Sequence, residues 1–398
     1  MPAFHDYIQR DALSALLRLS QAFSVIALTG PRQSGKTTLA RSAFPNKPYR
    51  TLEDPETRQL ALSDPRAFLA QFPDGAVLDE IQRAPELFSY LQGVVDAQQR
   101  MGLFIITGSQ QFGLLEAITQ SLAGRVGLIE LLPLRLGEIA QRQTLDTTQL
   151  NTLMFAGGYP ALYNATRSQA LQPSDWFRAY VSTYVERDVR HVLGVRDLAS
   201  FERFVLMCAS RSGQLLNLQA LAADCGISAS NARQWLSVLE TSYVIRLLRP
   251  WHENFGKRLV KMPKLYFLDT GLLCWLLRIE SPTALATHAM RGPMFETWVL
   301  TETLKHRLNQ GLPADVYFWR DNHGIEVDLL FQHRGLLHAV EIKSGTTFSQ
   351  DWLKGCQRFA QYAGPRYGAS TVVYGGEHSF ETQATHVMSW LGFKQHNA

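Results

Sequence analysis

The chain has 398 residues, 46% of them apolar, and a formal net charge of +4, which predicts two or three globular domains able to bury real cores. It shows no basic start leading into an apolar stretch and no run of membrane-spanning length. That excludes a recognisable signal peptide and a transmembrane helix, and sets the expectation of a cytoplasmic protein with no membrane partner.

The four cysteines, Cys208, Cys225, Cys274 and Cys356, form no C-x-x-C pair. A zinc site or a disulfide framework is therefore not expected, and buried thiols in a reducing compartment are. Charge is unevenly placed. Residues 1–150 carry 14 basic and 15 acidic groups, residues 151–265 carry 14 and 8, and residues 266–398 carry 11 and 12. The surplus of six positive charges in the middle segment points to an anionic partner there.

Taken in chain order, the first element is an apolar strand, residues 24–29, running into Gly30-Pro31-Arg32-Gln33-Ser34-Gly35-Lys36-Thr37. This is a complete G-x-x-x-x-G-K-T phosphate-binding loop, followed by helical sequence from Thr38. Glycines let backbone N–H groups turn onto phosphate oxygens. The helix N-terminus adds its dipole, Lys36 a point charge, and Thr37 a hydroxyl for Mg²⁺. Gly30 to Thr38 are thus the expected ATP contacts.

About 40 residues on, the apolar run 74–78 ends in Asp79-Glu80. At this distance from a phosphate loop the pair reads as an acid that holds Mg²⁺, Asp79, and one that orients and deprotonates water, Glu80. A second apolar run, 102–108, ends in Ser109-Gln110, either of which is placed to reach the γ-phosphate or the attacking water. Arg125, after Gly124, is a candidate arginine finger supplied across a subunit interface, which implies a homo-oligomer. For Ser109, Gln110 and Arg125 the plain alternatives are a strand-to-loop turn and a surface arginine.

Residues 201–211 predict a helix, with Phe201, Phe204, Val205 and Cys208 on one face. A second helix is expected over 218–224, a turn at Gly226, and a third helix over 231–240 capped by Ser228 or Ser230. Strands over 243–248 and 264–268 follow, with the basic Lys257, Arg258 and Lys261 between them. The outline is a winged helix-turn-helix. Arg233 and Gln234 would enter a DNA groove, and the three basic residues would meet phosphates. Such modules also serve as protein-binding modules or motor lids.

The last segment predicts a helix from Arg291 and strands over 315–320, 324–331, 336–342 and 370–374. Strand alternation puts Glu341 and Lys343 on one face, with Asp328 on the adjoining strand and Glu296 on the preceding helix. An acid, a gap and E-x-K resemble the PD-(D/E)-x-K nuclease constellation, with Val327 where that pattern has proline. Glu296, Asp328 and Glu341 are the metal ligands this implies, and Lys343 is the residue that positions water. The alternative is a surface Glu341–Lys343 pair.

The phosphate loop, Val77-Leu78-Asp79-Glu80-Ile81-Gln82 and Ile106-Thr107-Gly108-Ser109 together resemble the AAA-type ATPases of bacteria and archaea that carry a C-terminal domain of unknown function. Segments 183–189, 254–258, 265–271 and 340–345 extend the resemblance over most of the chain. It implies a multidomain α/β protein: a P-loop AAA-type ATPase domain (1–150), a helical linker with a winged helix-turn-helix (151–265), and a restriction-endonuclease-like α/β domain (266–398). The functional expectation is an ATP- and Mg²⁺-dependent protein acting on duplex or branched DNA. The alternative is an ATP-dependent regulatory switch that binds DNA or protein without cutting.

Overall fold

A computed structural model describes residues 7–109, 118, 120–164, 171–185, 198–251, 262–382 and 385–394. Gln110, Lys257, Arg258 and Lys261 lie outside the described residues. The chain divides into two compact units. One comprises Met1–Leu134, Tyr159–Ala161 and Lys305–Pro313; the other comprises Arg135–Gly158, Leu162–Leu304 and Ala314–Ala398.

The first unit is built on short strands, the central ones mostly apolar. β1 (Val25–Thr29), β2 (Tyr49–Thr51), β3 (Val77–Asp79), β4 (Phe104–Gly108) and β5 (Val126–Glu130) stand in the order β2-β3-β4-β1-β5. Every pairing is parallel. Parallel sheets bury both faces, and the period of two shows it. Val25 and Ala27 of β1 pack with Leu78, Phe104 and Ile106 against Phe68, Phe88 and Leu91. Ile26 and Leu28 turn the other way, with Val77, Ile105 and Ile129, onto Leu16 and Leu39.

The helices on these faces are α1 (Ala12–Ser20), α2 (Lys36–Ala43), α3 (Pro55–Ser63), α4 (Pro65–Ala70) and α5 (Leu87–Gln98). α3 and α4 each start with an Asp-Pro pair. The Asp54 and Asp64 carboxylates accept from the N–H groups of Thr57 and Ala67, both at 3.0 Å, and the proline occupies the position where no N–H is needed.

In the second unit, helices Leu198–Ala209, Leu218–Cys225 and Ala229–Thr241 precede a small antiparallel sheet. Its strands β6 (Gln214–Leu215), β7 (Ile245–Leu248) and β8 (Lys264–Phe267) have the order β6-β8-β7. Gly226 takes a left-handed conformation, φ 70°, to end the second helix. Ser228, rather than Ser230, caps the third, accepting from the Asn231 N–H at 3.1 Å. Ala232, Trp235, Leu236 and Leu239 are buried, and Trp235 meets Phe201 and Phe204 edge-on. Arg233 and Gln234 are left exposed. The strand expected from 243 starts at Ile245, because Tyr243 turns left-handed with φ 59°.

A six-stranded sheet completes this unit: β9 (Val316–Arg320), β10 (Glu326–His333), β11 (Leu336–Lys343), β12 (Tyr367–Tyr374), β13 (Phe380–Glu381) and β14 (Thr385–Ser389). Its order is β13-β14-β12-β11-β10-β9. β9, β10 and β11 are antiparallel, whereas β12 lies parallel to both β11 and β14. Trp319, Val327, Leu330 and Ala339 pack on Cys356 and Phe359 of helix Lys354–Ala363. All four cysteines are free and buried, as their spacing led us to expect.

The turn into β3 depends on one glycine. Gly75 has φ 78°, and a Cβ there would lie 1.6 Å from the Leu103 carbonyl oxygen. Gly75→Ala is expected to destabilise the first unit by about 2 kcal/mol or more, through both strain and steric overlap. Denaturant unfolding checks this, and an unchanged midpoint would contradict it.

Candidate functional site

Strand order assembles the first site. β4 sits between β1, which feeds the phosphate loop, and β3, which ends in the acids. The carboxyl ends of all three therefore meet at one edge, where ligands bind in open α/β sheets. Gly30 is required at the loop's start, because a Cβ there would fall 2.2 Å from the Leu131 carbonyl oxygen. Gly35, φ 96°, ends the loop and starts α2. Between them lie Pro31, Arg32, Gln33 and Ser34, and Gln33 is also left-handed, at φ 61°.

Lys36 is buried and turns back over the loop, donating to the carbonyl oxygens of Gly30 (3.0 Å) and Pro31 (2.7 Å). Burial lowers its pKa to about 8; Glu80 and Asp79 oppose that shift and Arg32 adds to it. The Ser34 hydroxyl is buried in the loop with no hydrogen-bond partner among the described residues. The loop's backbone is held from behind. Arg10, itself buried, donates to the Ser34 carbonyl at 2.6 Å and the Leu132 carbonyl at 2.7 Å.

Asp79 collects hydroxyls from three elements. Thr37 donates to it at 2.9 Å and Tyr49 at 2.7 Å, and Thr107 also donates to it. Thr37 and Asp79 thus form a pair of hard oxygen donors suited to Mg²⁺. Thr38 follows on α2. Glu80 is left-handed, φ 55°, and its carboxylate accepts from Ser109 at 3.1 Å and from Gln82 at 2.5 Å. Lys36, Thr37, Asp79, Glu80 and Ser109 therefore share one site. Arg125 sits elsewhere in this unit, in a two-pronged ion pair with Asp96 at 2.5 and 2.9 Å.

The second site is a carboxylate cluster. Glu326 and Asp328 lie two apart on β10, where pairing with β9 shifts by one residue between Val327 and Leu330. Such a bulge re-aims side chains. Glu296, Glu326 and Asp328 each offer an oxygen within 4.8 Å of the other two. Asp328 accepts from the Ile342 N–H at 2.8 Å, which fixes it beside Glu341, and Lys343 donates to Glu341 at 2.5 Å.

The structure thus brings Glu296, Asp328, Glu341 and Lys343 together and adds three residues the motif did not supply: Glu326, Lys264 and Tyr266. The Lys264 ammonium lies 2.9 Å from Glu296, contacts Glu326, and is 4.0 Å from Asp328. Tyr266 donates to Glu296. Glu326 was legible as the same-face neighbour of Asp328 in an E-x-D strand. Lys264 and Tyr266, on the remote β8, left no local signal.

Burial and the neighbouring Asp328 raise Glu296 to about 7 and Glu341 to about 8, against the pull of Lys264 and Lys343 respectively. Burial opposes charge on Lys264, but Glu296, Asp328 and Glu326 outweigh it and raise its pKa. An all-carboxylate donor set suits Mg²⁺ or Mn²⁺. The Glu341 Oε2 atom, buried and without a hydrogen-bond partner among the described residues, fits such an ion.

The loop and the five-stranded parallel sheet define a P-loop, AAA-type ATPase domain, and residues 22–140 match an AAA domain family. Residues 147–283 and 291–392 match two domains of unknown function, DUF8612 and DUF4143. The chain belongs to the family of the uncharacterized proteins Rv2008c of Mycobacterium tuberculosis and Mb2031c of Mycobacterium bovis. It is 34% identical to each over 379 residues, 95% of this chain and 82% of theirs.

Among solved structures, AMPPCP-bound DnaA from Aquifex aeolicus is 16% identical, over 57% of this chain and 85% of its own, with a TM-score of 0.24. A signal-transduction ATPase with a tetratricopeptide repeat sensor from Pyrococcus horikoshii is 15% identical, over 77% and 48%, at 0.30. Likeness at that level carries no argument. Among the described residues no helix is long and apolar enough to cross a membrane.

A raised carboxyl pKa makes stability fall with pH. Below the unfolded value of 4.5 both states hold the Glu341 proton. Above it the unfolded chain loses the proton first, and stability is given up until pH passes about 8. Glu341→Gln removes this loss. It is expected to melt higher than the wild type at pH 8.5, by about 2 °C for roughly 1 kcal/mol, with the gap closing toward pH 5. Thermal melts across pH, without divalent ions, check this.

Proposed function

We propose that this protein hydrolyses ATP with Mg²⁺ in its first unit and uses the cycle to act on DNA through its second. The observation that carries the ATPase reading is the juxtaposition at the sheet edge. Thr37 and Asp79 form the Mg²⁺ pair, Lys36 lies over the loop, and Glu80 is held by Ser109 in position to deprotonate water. An arginine finger would require Arg125 to leave Asp96 and reach a neighbouring chain's nucleotide, so a cytoplasmic homo-oligomer is the expected working form.

The DNA reading rests on the middle segment. Three helices and a small sheet present Arg233 and Gln234 to solvent from the third helix, which supports reading the segment as a winged helix-turn-helix that meets DNA. The carboxylate cluster with Lys343 supports a restriction-endonuclease-like site that would hold Mg²⁺ through Asp328, Glu341 and Glu296. The second reading, a nucleotide-dependent switch that binds without cutting, is favoured by Lys264 lying among those carboxylates.

Lys36→Ala is expected to abolish ATP binding. Glu80→Gln is expected to bind ATP with wild-type affinity and hydrolyse it roughly 10²–10⁴-fold more slowly. Nucleotide titration and phosphate release measure both, and normal turnover by Glu80→Gln would move the base elsewhere. For the second unit, Mn²⁺-dependent cleavage of duplex or branched DNA that vanishes in Asp328→Ala and in Lys343→Ala establishes the nuclease. ATP hydrolysis stimulated by DNA supports the DNA-acting reading over a free-standing switch, and hydrolysis indifferent to DNA, with no cleavage, favours the switch.

A further inference from the structure

Lys264 is the first residue of β8 and only 4% exposed. Two residues on, Tyr266 points the same way along the strand, and both side chains meet Glu296. The three carboxylates closest to one another, Glu296, Glu326 and Asp328, are the three that Lys264 approaches. Four buried or half-buried carboxylates at one spot, counting Glu341, require positive charge beside them. Two divalent ions about 4 Å apart are one way to supply it. Here part of that charge belongs to the chain.

The remaining contacts divide the cluster in two. Glu296 is taken up by Lys264 and Tyr266, and Glu326 by Lys264 and, at 3.3 Å, Arg320. On the other side Glu341 is 7% exposed, with Lys343 on one oxygen and no hydrogen-bond partner on Oε2 among the described residues. Gly355 packs there, and a Cβ on it would come within 3.1 Å of that oxygen, so the glycine leaves it room. Four carboxylates against Lys264, Lys343 and Arg320 leave one formal negative charge, enough to hold one divalent cation but not a second.

We propose that the Lys264 ammonium stands in for a second divalent cation, so that the cluster takes a single divalent ion, through Asp328 and Glu341. This inference rests on reading the cluster as a divalent-cation site. Lys264 acts through Glu296 and Glu326, which makes it a positioning residue.

The test counts Mn²⁺ bound by the full chain without nucleotide, using the EPR signal of free Mn²⁺, with Asp328→Ala identifying the ions that belong to the cluster. The wild type is expected to bind one such ion and Lys264→Arg to keep one. Lys264→Met, with the charge removed, is expected to take two. Two cluster ions in the wild type, or one in a Lys264→Met chain that melts cooperatively, overturns the substitution while leaving a metal site. No ion lost in Asp328→Ala and none gained in Lys264→Met overturns both the inference and the metal-site reading. Should Lys264→Met fail to fold, the wild-type and Lys264→Arg counts still decide between one ion and two.

Discussion

The first unit converges on the hydrogen bond between Thr37 and Asp79. It ties the start of α2 to the end of β3 at 2.9 Å and so fixes the phosphate loop against the acidic strand. Nothing in the local sequence makes these segments meet. They meet because β4 is threaded between β1 and β3, and because β2 lies on the far side of β3. That order also brings Thr107 and Tyr49 to the same carboxylate. A buried carboxylate that accepts three hydroxyls keeps its orientation, since a lost partner leaves a desolvated charge unsatisfied. The site's oxygen donors are thus oriented by the protein's own hydrogen bonds.

What was legible in the sequence follows from what is local. The phosphate loop reads directly, because its chemistry needs glycines, lysine and a hydroxyl at consecutive positions. Asp79 and Glu80 read from their place at the end of an apolar run. Tyr49, Thr107 and Gln82 did not, because their roles come from strand order and from the left-handed turn at Glu80, which bends Gln82 back onto it. Arg10 left no signal either, since an arginine that holds a carbonyl 122 residues away has no sequence pattern.

In the second unit the same rule separates Glu341 and Lys343 from Lys264. The first two are fixed by the pleat of one strand. Lys264 joins them from β8, in a different sheet, and meets Glu296 across 32 residues. The middle segment was legible for a different reason. Its helices are amphipathic and punctuated by Gly226, so existence and order could be read, while the choice of Ser228 over Ser230 as the cap came from the structure. The start of β7 could not, because only the structure shows Tyr243 turning left-handed.

Both sites place charge in low-dielectric surroundings, and each resolves it differently. Hydroxyls of fixed direction surround Asp79 and carry no net charge. In the carboxylate cluster, ammonium groups supply the compensation, which removes part of the negative charge before any ion binds. Burial also moves the two sites' titrations toward each other: it lowers Lys36 to about 8 and raises Glu341 to about 8. Near that pH the phosphate loop is losing its point charge while the cluster is gaining a carboxylate. Bound polyphosphate would restore the lysine's proton, and a bound divalent ion would expel the glutamate's. Nucleotide binding therefore consumes the protonated form of its site, and metal binding the deprotonated form. Their affinities are expected to run in opposite directions as pH rises through 8.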